Sequence, residues 1–168
     1  MRSRNVLVAT VLAMAGATLS WSGPAGAAPV APCGNGDFGA TYRNDGGAAG
    51  SRYGWIILRN NSGRTCWTQG YGGLSYVGHG DGEQVGAPAR REGGKAKRIV
   101  LEPGQRVRSR VRETNAANYP RRECRPERVD GFRVYGPDTT ESVYVVHPTV
   151  GCANDDVRLI SQRPYRRP

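Results

Sequence analysis

Chemically versatile side chains are scarce in this 168-residue sequence. It holds only two histidines, and both of its methionines, Met1 and Met14, lie near the N-terminus. No G-x-S-x-G motif frames a serine, and no C-x₂-C spacing indicates a zinc site. With no catalytic constellation and no metal-ligand set in view, we expect a protein that is not an enzyme and that binds no cofactor or metal.

Long apolar runs are also missing. The longest apolar run, residues 6–19, is shorter than the roughly 20 residues that a membrane-spanning helix needs. Two arginines, Arg2 and Arg4, precede it, and the small residues Ala25 and Ala27 follow. A basic start, an apolar centre and an A-x-A end are typical of a signal peptide. The sequence therefore predicts a signal peptide over residues 1–27, no membrane span, and a secreted protein that is extracellular or associated with the cell envelope.

No segment shows a helical period of useful length, and no internal repeat is present. Short β-type runs separated by Gly, Pro and Asn turns predict an all-β fold, an antiparallel β-sandwich of about seven strands, with a closed barrel as the second choice. Residues 28–50 form a Gly/Ala/Pro-rich leader, residues 51–162 the sandwich domain, and residues 163–168 a basic tail that we expect to be frayed. The predicted strands are 52–59, 66–67, 74–77, 98–101, 106–112, 128–135, 142–147 and 157–160, with a long surface loop over 78–97.

Four cysteines follow the predicted signal: Cys33, Cys66, Cys124 and Cys152. An even number in an exported chain indicates disulfides, because the destination is oxidising. Four cysteines allow three connectivities. We favour Cys33–Cys66 with Cys124–Cys152, because this pairing closes two separate loops of about thirty residues that do not cross. Each such loop adds roughly 3–4 kcal/mol on the chain-entropy model.

Positive charge is concentrated in one stretch. Without residues 1–27 the net charge falls from +10 to +8, and residues 90–133 alone carry a net +8. Within this stretch the sequence R-V-R-S-R-V-R alternates with the two-residue period of a strand, which places four arginines on one face and valines on the other. We therefore predict that this face binds anions. The alternative is that the arginines are merely a solvated strand face with no function. Its candidate residues are Arg106, Arg108, Arg110, Arg112, Arg121 and Arg122.

The partner predicted for this surface is an anionic polymer or another envelope component. The sequence does not favour a nucleic acid as the partner, because no aromatic residues alternate with the arginines to stack on bases. Trp55 and Trp67 we assign to the core, since large aromatic side chains dominate small β-cores. The sequence does not determine an oligomeric state.

The order of motifs resembles a known family. Cys33 comes first, then N-N-S-G-R-T-C-W-T-Q-G-Y over residues 60–71, L-E-P-G over residues 101–104, and the last two cysteines. Together these motifs resemble the secreted actinobacterial family called domain of unknown function 4232 over residues 33–160, although Gly72 stands where that family often has proline after Gly-Tyr. The resemblance implies an immunoglobulin-like sandwich with two sequential disulfides, and it implies no activity.

Two functional hypotheses follow, and the first is a secreted, non-enzymatic domain that binds an anionic partner through its basic surface. The alternative is a secreted peptidase inhibitor that presents the 78–97 loop or another disulfide-flanked loop. An enzyme would require His79 or His147 to lie in a cleft beside a carboxylate and a nucleophile.

Overall fold

A computed structural model describes residues 28–168. The predicted signal peptide, residues 1–27, lies outside the described residues. Within 28–168 the chain is mostly β-structure, and no helix there has the length and apolar character needed to cross a bilayer. The elements are β1 Phe38–Ala48, β2 Ser51–Asn60, β3 Cys66–Thr68, β4 Gly73–Gly78, β5 Glu83–Val85, β6 Arg90–Arg91, β7 Ile99–Leu101, β8 Arg106–Thr114, a 3-10 helix Ala116–Asn118, α1 Arg121–Cys124, β9 Pro126–Tyr135, β10 Ser142–Cys152 and β11 Ile160–Gln162.

Two sheets enclose the core. The larger has the strand order β1-β2-β8-β11-β6, and the smaller has the order β10-β9-β4-β5. All pairs in them are antiparallel except β11 with β6. A third, two-stranded sheet joins β3 to β7. The predicted all-β, antiparallel, sandwich-type fold is confirmed.

Alternating apolar residues explain how the sheets pack. In β8, Val107 and Val111 are fully buried, and in β9 Phe132 and Val134 are equally buried from the opposite sheet. Because side chains alternate between the faces of a strand, these residues point inward while their neighbours point to solvent. They pack into one core cluster with Ile56 and other apolar residues of β2 and β4.

Two disulfides lie within this core cluster. They join Cys33 to Cys66 and Cys124 to Cys152, which confirms the sequential pairing. No free cysteine is present among residues 28–168. Disulfides persist in oxidising compartments, so this pair fits an extracellular environment.

The segment predicted to be a leader contains β1, an eleven-residue edge strand that pairs with β2 in antiparallel register. Its inward residues Phe38, Ala40 and Tyr42 alternate and contact the core. The many glycines and alanines of the segment make this short alternation hard to recognise in the sequence. They also have low strand propensity, so the backbone hydrogen bonds to β2 stabilise the strand.

The tail differs from the expected frayed end. The Arg163 amide donates to the carbonyl of Arg110, and Arg166 exchanges both backbone hydrogen bonds with Arg108. Between them Tyr165 is buried, with 2% of its surface exposed. Residues 163–166 are therefore held by β8 and by one apolar anchor. The segment 78–97 likewise contains two short strands, β5 and β6.

Candidate functional site

The alternation in β8 puts Arg106, Arg108, Arg110 and Arg112 on the outer face of the larger sheet. The residues between them are buried: Val107 and Val111 are fully enclosed, and so is Ser109. Each arginine is about 6.8 Å from the next along the strand, since alternate residues of an antiparallel strand are two 3.4 Å steps apart.

Neighbouring strands extend this face. Cross-strand partners share a face of the sheet, and β2 pairs Trp55 with Arg110 and Arg59 with Arg106. In turn β1 pairs Arg43 with Trp55. The C-terminal segment adds a further guanidinium above the same indole. We call this surface the arginine face, and its arginines are Arg43, Arg59, Arg106, Arg108, Arg110, Arg112 and Arg166.

Trp55 lies at the centre of the arginine face. It is only 6% exposed, yet it belongs to the outer side of the sheet and not to the core cluster. The guanidinium carbons of Arg108, Arg110 and Arg166 stand 4.3, 5.0 and 4.9 Å from the centre of its ring. The expectation that Trp55 is buried is confirmed. Arginines bury its ring outside the core cluster, because the register of β2 against β8 brings it among them.

Trp67 is also covered by an arginine. It is half-buried on β3, and the guanidinium carbon of Arg98 lies 3.8 Å from its ring centre. Cation–π contacts of this kind hold long side chains in place and contribute about 0.5–2 kcal/mol each.

Carboxylates are few on the arginine face. Among residues 28–168, Arg110 is the only one of its seven arginines with a carboxylate within ion-pair distance, and that partner is Asp45. Arg112 donates to the Ser51 hydroxyl at 3.2 Å. The Nε of Arg108 is buried and has no hydrogen-bond partner in the described part of the chain. The face therefore carries a large uncompensated positive charge.

A groove of about 650 Å³ opens beside Trp55. Its volume lies within the range of small-ligand sites, about 300–1,000 Å³. The lining combines strand residues with the C-terminal segment. It includes Tyr53, Trp55, Arg110, Arg112, Ser161 and Arg166.

Arg121 and Arg122 lie elsewhere in the fold. They occupy the exposed first turn of α1, the helix that carries Cys124 to its disulfide partner. They were predicted to join the β8 arginines because they are close in sequence, but the chain leaves β8 through the 3-10 helix before it reaches α1.

A second polar cluster lies inside the sandwich, at the end of β8. Glu113 is 3% exposed and points inward. It accepts hydrogen bonds from the hydroxyls of Tyr42 at 2.8 Å and Tyr76 at 2.7 Å, and its Oε2 lies 2.9 Å from His147 Nε2. The His147 ring stacks on Phe132 with 4.6 Å between centres. Since its donors come from both sheets, this carboxylate links the two layers.

Ionisation of this cluster follows from its partners. Burial opposes the charge on Glu113, but the hydrogen bonds from His147, Tyr76 and Tyr42 outweigh it and lower the pKa of the carboxyl. Burial first, and then the charge of Glu113, raise the pKa of both tyrosines. Glu113 is thus a buried carboxylate anion, and its tyrosine partners stay protonated donors.

The histidines do not form a catalytic arrangement with a nucleophile in the described part of the chain. His147 has a carboxylate partner, but no serine, threonine or cysteine of residues 28–168 hydrogen-bonds its ring. His79 is 45% exposed and lies 2.9 Å from Glu127. No group of three or more His, Cys, Asp or Glu residues is placed to hold a metal within residues 28–168.

Sequence reasoning missed several residues of these two clusters. Trp55 and Arg166 join the arginine face through strand pairing, and Glu113 joins the inner cluster through partners 34 to 71 positions away. One signal was available in the sequence. Glu113 continues the inward positions of the alternation, and a charged residue at an inward position points to a buried, partnered group.

Comparison with known protein families gives a match over most of the described residues. A family model described as "Domain of unknown function (DUF4232)" matches residues 33–163. Neither the curated proteins nor the solved structures include a match to this chain. The matched range covers both disulfides, β8 and the first residue of the C-terminal segment.

Proposed function

Because the chain belongs to the DUF4232 family, whose description assigns no chemistry, we propose a function from its own surface: a secreted, non-enzymatic domain that binds an anionic extracellular or envelope polymer through the arginine face. The observation that carries the proposal is the imbalance on this face, where seven arginines meet one ion-paired carboxylate.

Charge of this density raises the local concentration of anions. Seven guanidiniums on one sheet face repel one another, and a polyanion that neutralises them relieves this repulsion. Each guanidinium also offers a planar fork of donors that matches carboxylate, sulfate or phosphate oxygens. The face is therefore suited to polymers with repeated negative groups.

The arginines are also partly ordered before any ligand arrives. Contacts with Trp55 fix the guanidiniums of Arg108, Arg110 and Arg166, and β8 fixes the spacing of the row. Ordering a long side chain on binding costs roughly 0.5–1.5 kcal/mol, so prior ordering improves affinity.

Base stacking does not fit this arrangement. Trp55 is covered by guanidiniums and only 6% exposed, so its ring offers little free surface for a nucleobase. A polymer recognised by its charges suits the face better than one recognised by its bases.

Retention on immobilised heparin, a sulfated polysaccharide, tests the proposal. The wild-type protein is expected to bind at low salt and to elute in a sodium chloride gradient, because exposed charges are screened within about 10 Å at 0.1 M salt. Arg106→Gln and Arg112→Gln are expected to elute earlier. The matched control is Arg128→Gln, which removes the same charge from an exposed position of β9 in the opposite sheet.

The control shows whether retention depends on the arginine face or only on the net positive charge of the protein. Equal shifts for Arg112→Gln and Arg128→Gln would show that net charge alone governs retention. Absence of retention at low salt would refute the proposed function outright.

A further inference from the structure

We propose that the groove beside Trp55 is a binding site for a single phosphoryl group, carried on a sugar or polyol. This inference rests on the proposed function, since it names the chemical group that the arginine face takes. Arg110, Arg112 and Arg166 line the groove, and Arg108 stacks on the same Trp55 indole as Arg110 and Arg166.

Convergence of guanidiniums is the first argument. Three guanidinium carbons lie within 5.0 Å of the centre of one ring. Like charges at this density repel, and only Arg110 has a carboxylate partner among the described residues. A polyvalent anion between them replaces the repulsion with charge-assisted hydrogen bonds.

The number of donors selects the type of anion. A carboxylate has two coplanar oxygens, and one bidentate arginine occupies both. A phosphate monoester has three acceptor oxygens that point in different directions, and it carries about −1.5 to −2 charges at pH 7. Several guanidiniums around one point therefore match a phosphoryl group better than a carboxylate.

An unsatisfied donor supports the same assignment. The Nε of Arg108 is buried without a hydrogen-bond partner in the described part of the chain. Buried donors are nearly always paired in folded proteins. A small shift of this side chain toward an anion beside Trp55 pairs that donor.

The shape of the groove indicates what carries the phosphoryl group. A volume of about 650 Å³ exceeds the size of an inorganic ion and accommodates a sugar or polyol as well. Tyr53 and Ser161 supply polar and aromatic lining for such a group. The one acidic residue of the lining, Glu92, is engaged by Arg90 at 2.8 Å, and this hydrogen bond lowers the pKa of its carboxyl.

The central tryptophan provides a direct probe. The sequence has three tryptophans, so Trp21→Phe combined with Trp67→Phe leaves Trp55 as the sole reporter. Its fluorescence is recorded while inorganic phosphate, glycerol 3-phosphate, sulfate or acetate is added at constant ionic strength. We expect saturable changes with phosphate and with glycerol 3-phosphate, tighter binding of the ester, weaker binding of sulfate, and none of acetate.

Substitutions locate the site. Arg166→Gln and Arg108→Gln are expected to weaken glycerol 3-phosphate binding about tenfold or more, as the loss of a hydrogen bond to a charged group implies. The control Arg128→Gln, on the opposite sheet, is expected to change it less than twofold.

Each remaining outcome has a defined meaning. Acetate that binds as well as phosphate, or Arg166→Gln that binds like the wild type, overturns the phosphoryl site. If heparin retention persists in either case, the proposed function survives and only this inference fails. If phosphate binds but heparin is not retained at low salt, the groove stands and the polymer proposal fails.

Discussion

Replacing Glu113 by glutamine removes a buried charge while the shape of the side chain is kept, and we expect a large loss of stability. In the wild-type protein this carboxylate receives three donors at 2.7 to 2.9 Å from both sheets. A glutamine amide has one oxygen, so its NH₂ group must face at least one of these donors. The hydrogen of that donor then loses its acceptor inside the sandwich.

The magnitude follows from the burial and from the number of partners. Leaving a buried polar group unsatisfied costs about 1–3 kcal/mol, and breaking a buried charge pair costs about 3–5 kcal/mol. Because glutamine retains one acceptor, we place the loss in the free energy of unfolding at about 2–4 kcal/mol. This is a large part of the total stability of a small domain.

Urea unfolding at pH 7, with the disulfides oxidised, measures the effect. The matched control is Glu92→Gln, which breaks a surface ion pair with Arg90 and is expected to cost less than about 1 kcal/mol. Equal losses for the two variants would refute the role of Glu113 as the link between the sheets.

Two further predictions test the interior. The lowered pKa of Glu113 means that its contribution to stability is complete well above the ordinary value of 4.5 and is lost as the pH falls below that value. The stability gap between the wild type and Glu113→Gln in urea titrations is therefore expected to narrow as the pH is lowered below 4.5. A gap that widens on acidification would contradict this. Tyr165→Phe is expected to leave the midpoint of unfolding unchanged, because the Tyr165 hydroxyl has no partner among the described residues. Tyr76→Phe is expected to cost about 1–3 kcal/mol of unfolding free energy, because it removes a donor to Glu113. A larger loss for Tyr165→Phe than for Tyr76→Phe would contradict the network.

Local patterns were sufficient to predict β8. Strict alternation over residues 106–112 fits only a strand with valines on the buried face and arginines on the exposed face. The arginine row and its inward valines therefore follow from the sequence. The central strand β2 and the sequential disulfides follow from similar short-range signals.

Contacts between distant residues were beyond this reasoning. Trp55 is an apolar residue in a strand, and only the register of β2 against β8 shows that it faces arginines and not the core. The inner cluster joins Glu113 to Tyr42, 71 positions away. Such pairs depend on how the strands are ordered in the sheets, and that order is not encoded in any local pattern.

The C-terminal segment shows a related effect. A sequence rich in arginine and proline suggests a solvated end, yet Tyr165 is buried and the neighbouring backbone pairs with β8. One apolar anchor, together with free hydrogen-bonding groups on a neighbouring strand, is enough to order a polar segment.

Salt dependence of binding to soluble heparin tests the central claim, that the arginine face binds anions, most directly. By the counterion release that governs polyanion binding, the slope of log K against log salt is expected to fall by about one for each arginine that contacts the polymer and is removed. We predict this reduction for Arg108→Gln and Arg112→Gln and an unchanged slope for Arg128→Gln. A wild-type affinity independent of salt, or equal slopes for all these variants, would contradict the account.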